Sequence, residues 1–140
     1  MSNQDNPSTI FGEVIHTYTR AQAMADGVLV DVSAMAREAG FRWPVALTRA
    51  AWEDCVAWSE DDNRRQAYQD EPGRLWDVLW MAANAIRNAT PSDNQELLFQ
   101  LHRVPWDGRT AEPSLVTLKL VAGPGDTVEP VVTLMLPRED

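Results

Sequence analysis

The sequence predicts a two-layer α+β domain, in which three to four N-terminal helices pack on a C-terminal three-stranded antiparallel meander. Apolar residues recur every three or four positions in the first two thirds of the chain, as on one face of a helix. After residue 95 they recur at every second position, as in a strand with one buried face. The 140 residues suffice for one such core. We therefore expect a disordered polar arm over residues 1–9 and a single domain over residues 10–140.

Two short helices, each ending at a glycine, are predicted in the first third of the chain. Thr19 is a suitable N-cap for the first helix, and Gly27 can adopt the left-handed conformation that ends it. The second helix follows Ser33 and ends at Gly40. Between them, residues 28–32 form an apolar, β-branched run that is too short for a buried helix, and they predict a strand or an extended link.

Two longer helices are predicted next. Pro44 suits a first helical position, and residues 45–58 carry an apolar stripe with helical spacing. Residues 74–88 show the clearest helical pattern in the chain. The segment between them, residues 59–73, is polar and strongly charged, so it predicts a solvated excursion.

Three strands are predicted over residues 96–104, 115–121 and 131–136. Turn-forming residues at 106–108 and 123–126 connect them, so neighbouring strands should be antiparallel. One set of alternate residues should face the helices: Phe99, Leu101, Val116, Leu118, Leu120, Val132, Leu134 and Leu136.

Charge and composition exclude several classes of protein. Twelve Lys and Arg against 21 Asp and Glu give a net charge of −9, which argues against direct nucleic-acid binding through a broad basic face. The chain has no apolar run long enough to span a membrane, and its N-terminus does not resemble a secretory leader. Its single cysteine cannot form an internal disulfide. We expect a cytoplasmic protein.

Metal and cofactor binding are not predicted. His16, His102 and Cys55 are the only candidate ligands besides carboxylates, and their spacing matches no metal site. Cys55 lies in an apolar stripe beside Glu53 and Asp54, whose charges should raise its pKa, so we interpret it as a core residue.

One group of residues allows an enzymatic alternative. His16 stands beside Thr17 and Tyr18, and a histidine in such a setting can bind a nucleotide or act as a general base. The alternative is therefore a small enzyme acting on a nucleotide or nucleic-acid component through His16, with Tyr18, Arg20 and Asp26.

The negative charge is concentrated between residues 53 and 77, where eight acidic residues and three arginines leave −5 of the total −9. Carboxylates on adjacent helical turns lie about 5–6 Å apart. Such a surface can occupy a basic groove that normally holds nucleic acid, although a merely solubilising segment would look the same. Of the six tryptophans, the two in connecting segments are the candidate exposed anchors. The candidate partner-binding residues are Glu53, Asp54, Glu60, Asp61, Asp62, Asp70, Glu71, Trp43 and Trp106.

Three phrases of the sequence together resemble a family of short, uncharacterised bacterial proteins carried mainly on plasmids and other mobile elements. They are IHTYTRAQAMADGVLVDVSAMAREAGFRWPVALTRAAWEDCVAW, GRLWDVLWMAANAIR and VTLKLVAGPGDTVEPVVTLMLP. The resemblance spans residues 11–137 and names no reaction. It implies an accessory protein that blunts a host defence, such as a CRISPR or restriction system, or that adjusts maintenance of the element.

The leading hypothesis is accordingly a non-enzymatic acidic protein that binds and inhibits a protein partner, plausibly a host defence complex, by occupying its nucleic-acid-binding surface. A third hypothesis is a structural or homodimeric module with no external partner.

Overall fold

The computed structural model describes residues 18–90 and 95–140. The predicted arm over residues 1–9 and the first residues of the predicted domain, 10–17, lie outside these ranges. The helices are α1 (Arg20–Ala25), α2 (Ser33–Ala39), α3 (Arg49–Cys55), α4 (Glu60–Arg65) and α5 (Glu71–Asn88). The strands are β1 (Leu29–Asp31), β2 (Val45–Thr48), β3 (Glu96–Arg103), β4 (Ser114–Pro124) and β5 (Pro130–Met135).

The strands form one five-stranded mixed sheet in the order β1-β2-β5-β4-β3. The β2–β5 pair is parallel, whereas the β1–β2, β4–β5 and β3–β4 pairs are antiparallel. The prediction of a three-stranded antiparallel meander is therefore wrong. The fold is α+β, but β1 and β2 extend the sheet beyond β5.

Strand β2 was missed because it is buried on both faces. The side chains of Val45 and Leu47 point to one face of the sheet and that of Ala46 to the other, and all three residues are 0% exposed. The sequence of a strand covered on both faces is a continuous apolar run without alternation. Residues 45–48 therefore look like the first turn of the apolar helix that follows them. The helix predicted over residues 45–58 is correspondingly shorter: Thr48 caps α3 by accepting a hydrogen bond from the Ala51 amide, and α3 ends at Cys55.

The predicted cap of α1 and the predicted glycine ends of both helices are present, whereas α2 begins at Ser33 itself, with Val32 as an N-cap that makes no side-chain hydrogen bond. Thr19 and Gln22 form a reciprocal capping box at the start of α1. Gly27 follows α1 with φ 78°, and Gly40 ends α2 with φ 110°. Both angles lie in the left-handed region that favours glycine. Of the residues left open as a strand or an extended link, Leu29–Asp31 form β1.

The main core lies between the sheet and the helices on one face. Helix α5 packs against β3, while α2 and α3 pack against β2. Val116 is partly buried, and the other residues predicted to face the helices are all buried: Phe99, Leu101, Leu118, Leu120, Val132, Leu134 and Leu136.

Residues 59–73 are mostly exposed, as predicted, but they are not an irregular excursion. They contain α4 and the first turn of α5, which begins at Glu71 with Asp70 as its N-cap rather than at Arg74. Ser59 and Asp62 form a capping box that starts α4, and Asp62 is only 5% exposed. Polar composition alone does not reveal this structure, because the buried side chain here, that of Asp62, is held by hydrogen bonds and not by apolar contacts.

Candidate functional site

Arg74 is a buried cation that joins α5 to two other segments. Its side chain is 4% exposed, and its guanidinium lies 4.4 Å above the Trp58 ring. Its Nε donates to the Val56 carbonyl at 3.1 Å, and its Nη1 donates to the Val104 carbonyl at 3.0 Å and to Gln69 Oε1 at 2.7 Å. Burial lowers the pKa of Arg74, because the interior disfavours the charged form. Arg74 therefore fixes the end of α3, the start of α5 and the segment after β3 relative to one another.

Asp62, in α4, is a second buried charged residue with several hydrogen bonds. Its Oδ2 accepts hydrogen bonds from the Ser59 amide at 2.8 Å and from Ser59 Oγ at 2.9 Å. The same oxygen accepts the indole Nε1–H of Trp106 at 2.9 Å. The Trp106 side chain is 56% exposed, so it is anchored at one edge while much of its ring faces solvent.

Gln66 holds the loop that carries Trp106. Its Nε2 donates to the carbonyls of Pro105 at 2.7 Å and Thr110 at 2.6 Å, and its Oε1 accepts the Gly108 amide at 3.0 Å. Asp107 folds the same loop by accepting from the Thr110 hydroxyl and amide, and these bonds lower the pKa of Asp107 to about 2. Both ends of the loop are thus hydrogen-bonded to Gln66, the C-cap of α4, and this restricts the loop's movement.

The carboxylates predicted to bind a partner lie on α3, on α4 and at the start of α5, the elements next to Arg74 and Asp62. Asp54 forms a 3.0 Å ion pair with Arg103 at the end of β3, and Glu71 accepts the Trp58 amide at 3.1 Å just before α4. Asp62 is the exception, because it is buried beneath the surface. We call the remaining surface the acidic corner: Glu53, Asp54, Glu60, Asp61, Asp70, Glu71 and Trp106.

The carboxylates of the acidic corner differ in the hydrogen bonds and ion pairs that they already make within the chain. Asp70 caps α5 through the Gly73 amide, and Asp61 pairs with Arg64 at 3.2 Å and Arg65 at 3.6 Å. Glu60 accepts one bond from Asn63, and Glu53 is exposed. The acidic corner keeps its negative sign, although the two arginines of α4 reduce the field there.

Cys55 lies under this surface and is 1% exposed, which confirms the core assignment. Burial raises the pKa of Cys55 to about 12, and the neighbouring Asp54 charge adds to the shift. A thiol with such a pKa stays protonated at neutral pH and is a poor nucleophile.

Trp43, the other predicted anchor, lies elsewhere. It is 45% exposed and lines an apolar groove of about 940 Å³ between the end of α2, the end of α5 and the β4–β5 turn. Ile86 and Val128 line the same groove, and Arg42 and Arg87 add positive charge to it. The structure therefore separates the two tryptophans and joins only Trp106 to the acidic corner.

The residues of the enzymatic alternative are held by structural bonds. Tyr18 donates its hydroxyl proton to Asp26 at 2.7 Å, which raises the pKa of Tyr18. Arg20 reaches β5, where it donates to Thr133 Oγ1 at 2.7 Å and the Val132 carbonyl at 2.8 Å. His16 lies outside the described residues. Among the residues that are described, no group of three His, Cys, Asp or Glu side chains could hold a metal ion.

Sequence reasoning missed the residues that build this site. Gln66, Arg74 and Arg103 were not singled out, because each acts through backbone carbonyls or loops distant in sequence. One signal was available for Asp62: Ser59 followed three residues later by an acidic residue is a capping-box pattern.

The chain was compared with known proteins. The model of a family described as a family of unknown function, DUF6573, matches residues 8–140. No curated protein and no solved structure matches the chain. Within residues 18–90 and 95–140, no helix combines the length and the apolar character that crossing a membrane requires.

Proposed function

Because the chain belongs to the DUF6573 family of unknown function, we propose from its own surface that it is a non-enzymatic binding protein. The acidic corner contacts a basic, groove-shaped surface on a protein partner, and Trp106 provides the apolar anchor. The chain acts in the cytoplasm. Its resemblance to proteins of plasmids and mobile elements makes a nucleic-acid-handling host defence complex the first partner to test.

The observation that carries this proposal is the anchoring of Trp106. An exposed indole bonded to a buried carboxylate loses little conformational freedom on binding, which favours it as an interface anchor. The surrounding carboxylates supply long-range attraction to a basic surface and speed the encounter. A loop that only solubilised the chain would not need three hydrogen bonds with Gln66, two donated and one accepted by its side chain, to fix its position.

Neutralising the acidic corner should therefore weaken partner binding more than neutralising acids elsewhere. The test variant carries Glu53→Gln, Glu60→Gln and Asp61→Asn, none of which is buried. The matched control carries Glu38→Gln, Glu112→Gln and Glu129→Gln, three exposed residues outside the corner. Both change the net charge from −9 to −6. We expect the test variant to lose about tenfold or more in affinity at low salt and the control to change little.

Two readouts measure this difference. The first is capture of host-lysate proteins on immobilised chain, quantified for each variant. The second is the plating efficiency of a phage on a host with an active restriction or CRISPR system, with and without the expressed chain. Equal capture and equal plating efficiency for the two variants would contradict the proposal.

A further inference from the structure

A small cavity lies between the start of α5, the end of α3 and the end of β3. Its volume is about 140 Å³. Because a water molecule takes up about 30 Å³ in the liquid, the cavity has room for one molecule of a few heavy atoms. Asp77 and Pro113 in its wall are exposed, so the cavity opens to solvent. All of its wall residues lie in the described parts of the chain.

Arg74 is a buried cation in the wall of this cavity, and its hydrogen-bond acceptors are all neutral. They are the backbone carbonyls of Val56 and Val104 and the side-chain oxygen of Gln69. Its Nη2 is also buried, and among residues 18–90 and 95–140 no acceptor lies within hydrogen-bond distance of it. Buried charges in proteins are normally paired, and a buried N–H without an acceptor is unfavourable. The guanidinium can therefore accommodate an anionic group.

Asp77 supplies a charge of opposite sign in the same wall. It lies one turn after Arg74 on α5, and its carboxylate makes no hydrogen bond and no ion pair within the described residues. Partial burial raises the pKa of Asp77, and the positive charge of Arg74 opposes this rise, so the two charges interact without touching. Arg103 also lines the cavity, but its guanidinium is paired with Asp54 at 3.0 Å. The wall thus presents one unpaired positive group and one unpaired negative group.

We propose that this cavity binds a small zwitterion of the class of an α-amino acid, whose carboxylate contacts Arg74 and whose ammonium group contacts Asp77. A simple anion would be attracted by Arg74 and repelled by Asp77, and a simple cation would meet the reverse. A molecule that carries both charges close together avoids both penalties. The small volume limits the ligand to a short side chain, such as that of glycine or alanine. This binding needs no protein partner, so it does not depend on the proposed function.

Gln69 is the side chain that makes way for the ligand carboxylate. It is half-buried in the wall of the cavity, and its Oε1 accepts the hydrogen bond from Arg74 Nη1 at 2.7 Å. A carboxylate in the place of this amide would accept from Nη1 and Nη2 together, as in bidentate pairs of arginine with carboxylates. That arrangement gives the buried Nη2 its acceptor.

An NMR titration of the wild-type chain tests the class of ligand. Glycine, sodium acetate and methylammonium chloride are added separately at constant ionic strength, and the Arg74 Nε–H and Asp77 amide resonances are followed. Glycine should bind about tenfold or more tightly than either single-charge compound, because only glycine meets both charges. Acetate binding as tightly as glycine would overturn the proposal in favour of a plain anion site. Resonances that move with none of the three compounds would overturn it as well.

Asp77→Asn separates the two contacts, because it keeps the size of an exposed side chain and removes its charge. It should weaken glycine binding by about tenfold and should not weaken acetate binding, a split that loss of folding cannot produce. Asp61→Asn is the matched control, since Asp61 is exposed on α4 and does not line the cavity. It should leave both affinities as in wild type. Unchanged glycine binding in Asp77→Asn would contradict the assigned ammonium contact.

Gln69→Glu places a carboxylate of the chain itself beside Arg74. It should abolish the glycine-induced shifts, because the new side chain occupies the position of the ligand carboxylate. Gln100→Glu adds the same charge at an exposed residue that does not line the cavity, so it should keep glycine binding. Equal glycine affinity in the two variants would show that the ligand does not contact Arg74.

Discussion

Replacing Arg74 with Met should lower the free energy of unfolding by about 3 kcal/mol. Methionine keeps an unbranched apolar side chain in the buried site but offers no donors. The carbonyls of Val56 and Val104 would then be buried without their side-chain partner, and the contact with the Trp58 ring would lose its positive charge. Release of the desolvated cation offsets part of this loss, which is why the expected effect is not larger.

Arg64→Met is the matched control for this measurement. Arg64 is an exposed arginine of α4 whose guanidinium pairs with Asp61 on the surface. Surface ion pairs contribute about 0–1 kcal/mol, so this variant should stay within about 1 kcal/mol of wild type. Urea unfolding followed by circular dichroism gives both values. An equal loss for the two variants would show that the Arg74 bonds do not hold these segments together.

Asp62→Asn should both destabilise the chain and weaken the hydrogen bond that anchors Trp106. The asparagine is nearly isosteric, but its carbonyl oxygen is neutral, so it accepts the bonds from Ser59 and the indole more weakly than the carboxylate Oδ2 does, and its NH2 group adds a donor to the buried site. We expect a loss of about 2–3 kcal/mol, because three hydrogen bonds to one carboxylate are weakened in a site that is 5% exposed.

The NMR resonance of the Trp106 indole N–H measures the change in its hydrogen bond to residue 62 directly. This resonance should move upfield, and the proton should exchange faster with solvent in Asp62→Asn than in wild type, since a bond to a neutral amide oxygen is weaker than a bond to the carboxylate. Asp61→Asn is the control, because Asp61 is the exposed neighbour in the same helical turn. An unchanged Trp106 indole resonance in Asp62→Asn would contradict the assigned anchor.

Local signals in the sequence predicted the parts of the fold that depend on nearby residues. The capping residue Thr19 and the terminating residues Gly27 and Gly40 act within a few positions of the helices they limit, and the alternation in β3, β4 and β5 reflects one buried face. Strand β2 could not be recognised in this way. Its place inside the sheet depends on pairing with β1 and β5, and β5 lies more than 80 residues further along the chain.

The site was only partly predictable for a similar reason. Acidic composition identified the carboxylates, but composition cannot tell Asp62, which is buried and bonded, from Asp61, which is exposed and paired with arginine. Trp106 comes into the site through a hydrogen bond between residues 44 positions apart. No spacing rule in the sequence anticipates such a contact, nor the separation of Trp43 from it.

The measurement that tests the central claim most directly compares Trp106→Ala with Trp43→Ala in the same capture and plating assays. Both residues are exposed tryptophans, at 56% and 45%, so the two changes remove similar apolar surface. If the acidic corner binds the partner, Trp106→Ala should lose about 2 kcal/mol of binding, or roughly thirtyfold in affinity, and Trp43→Ala should bind as wild type does. Loss of binding in Trp43→Ala with none in Trp106→Ala would contradict the account.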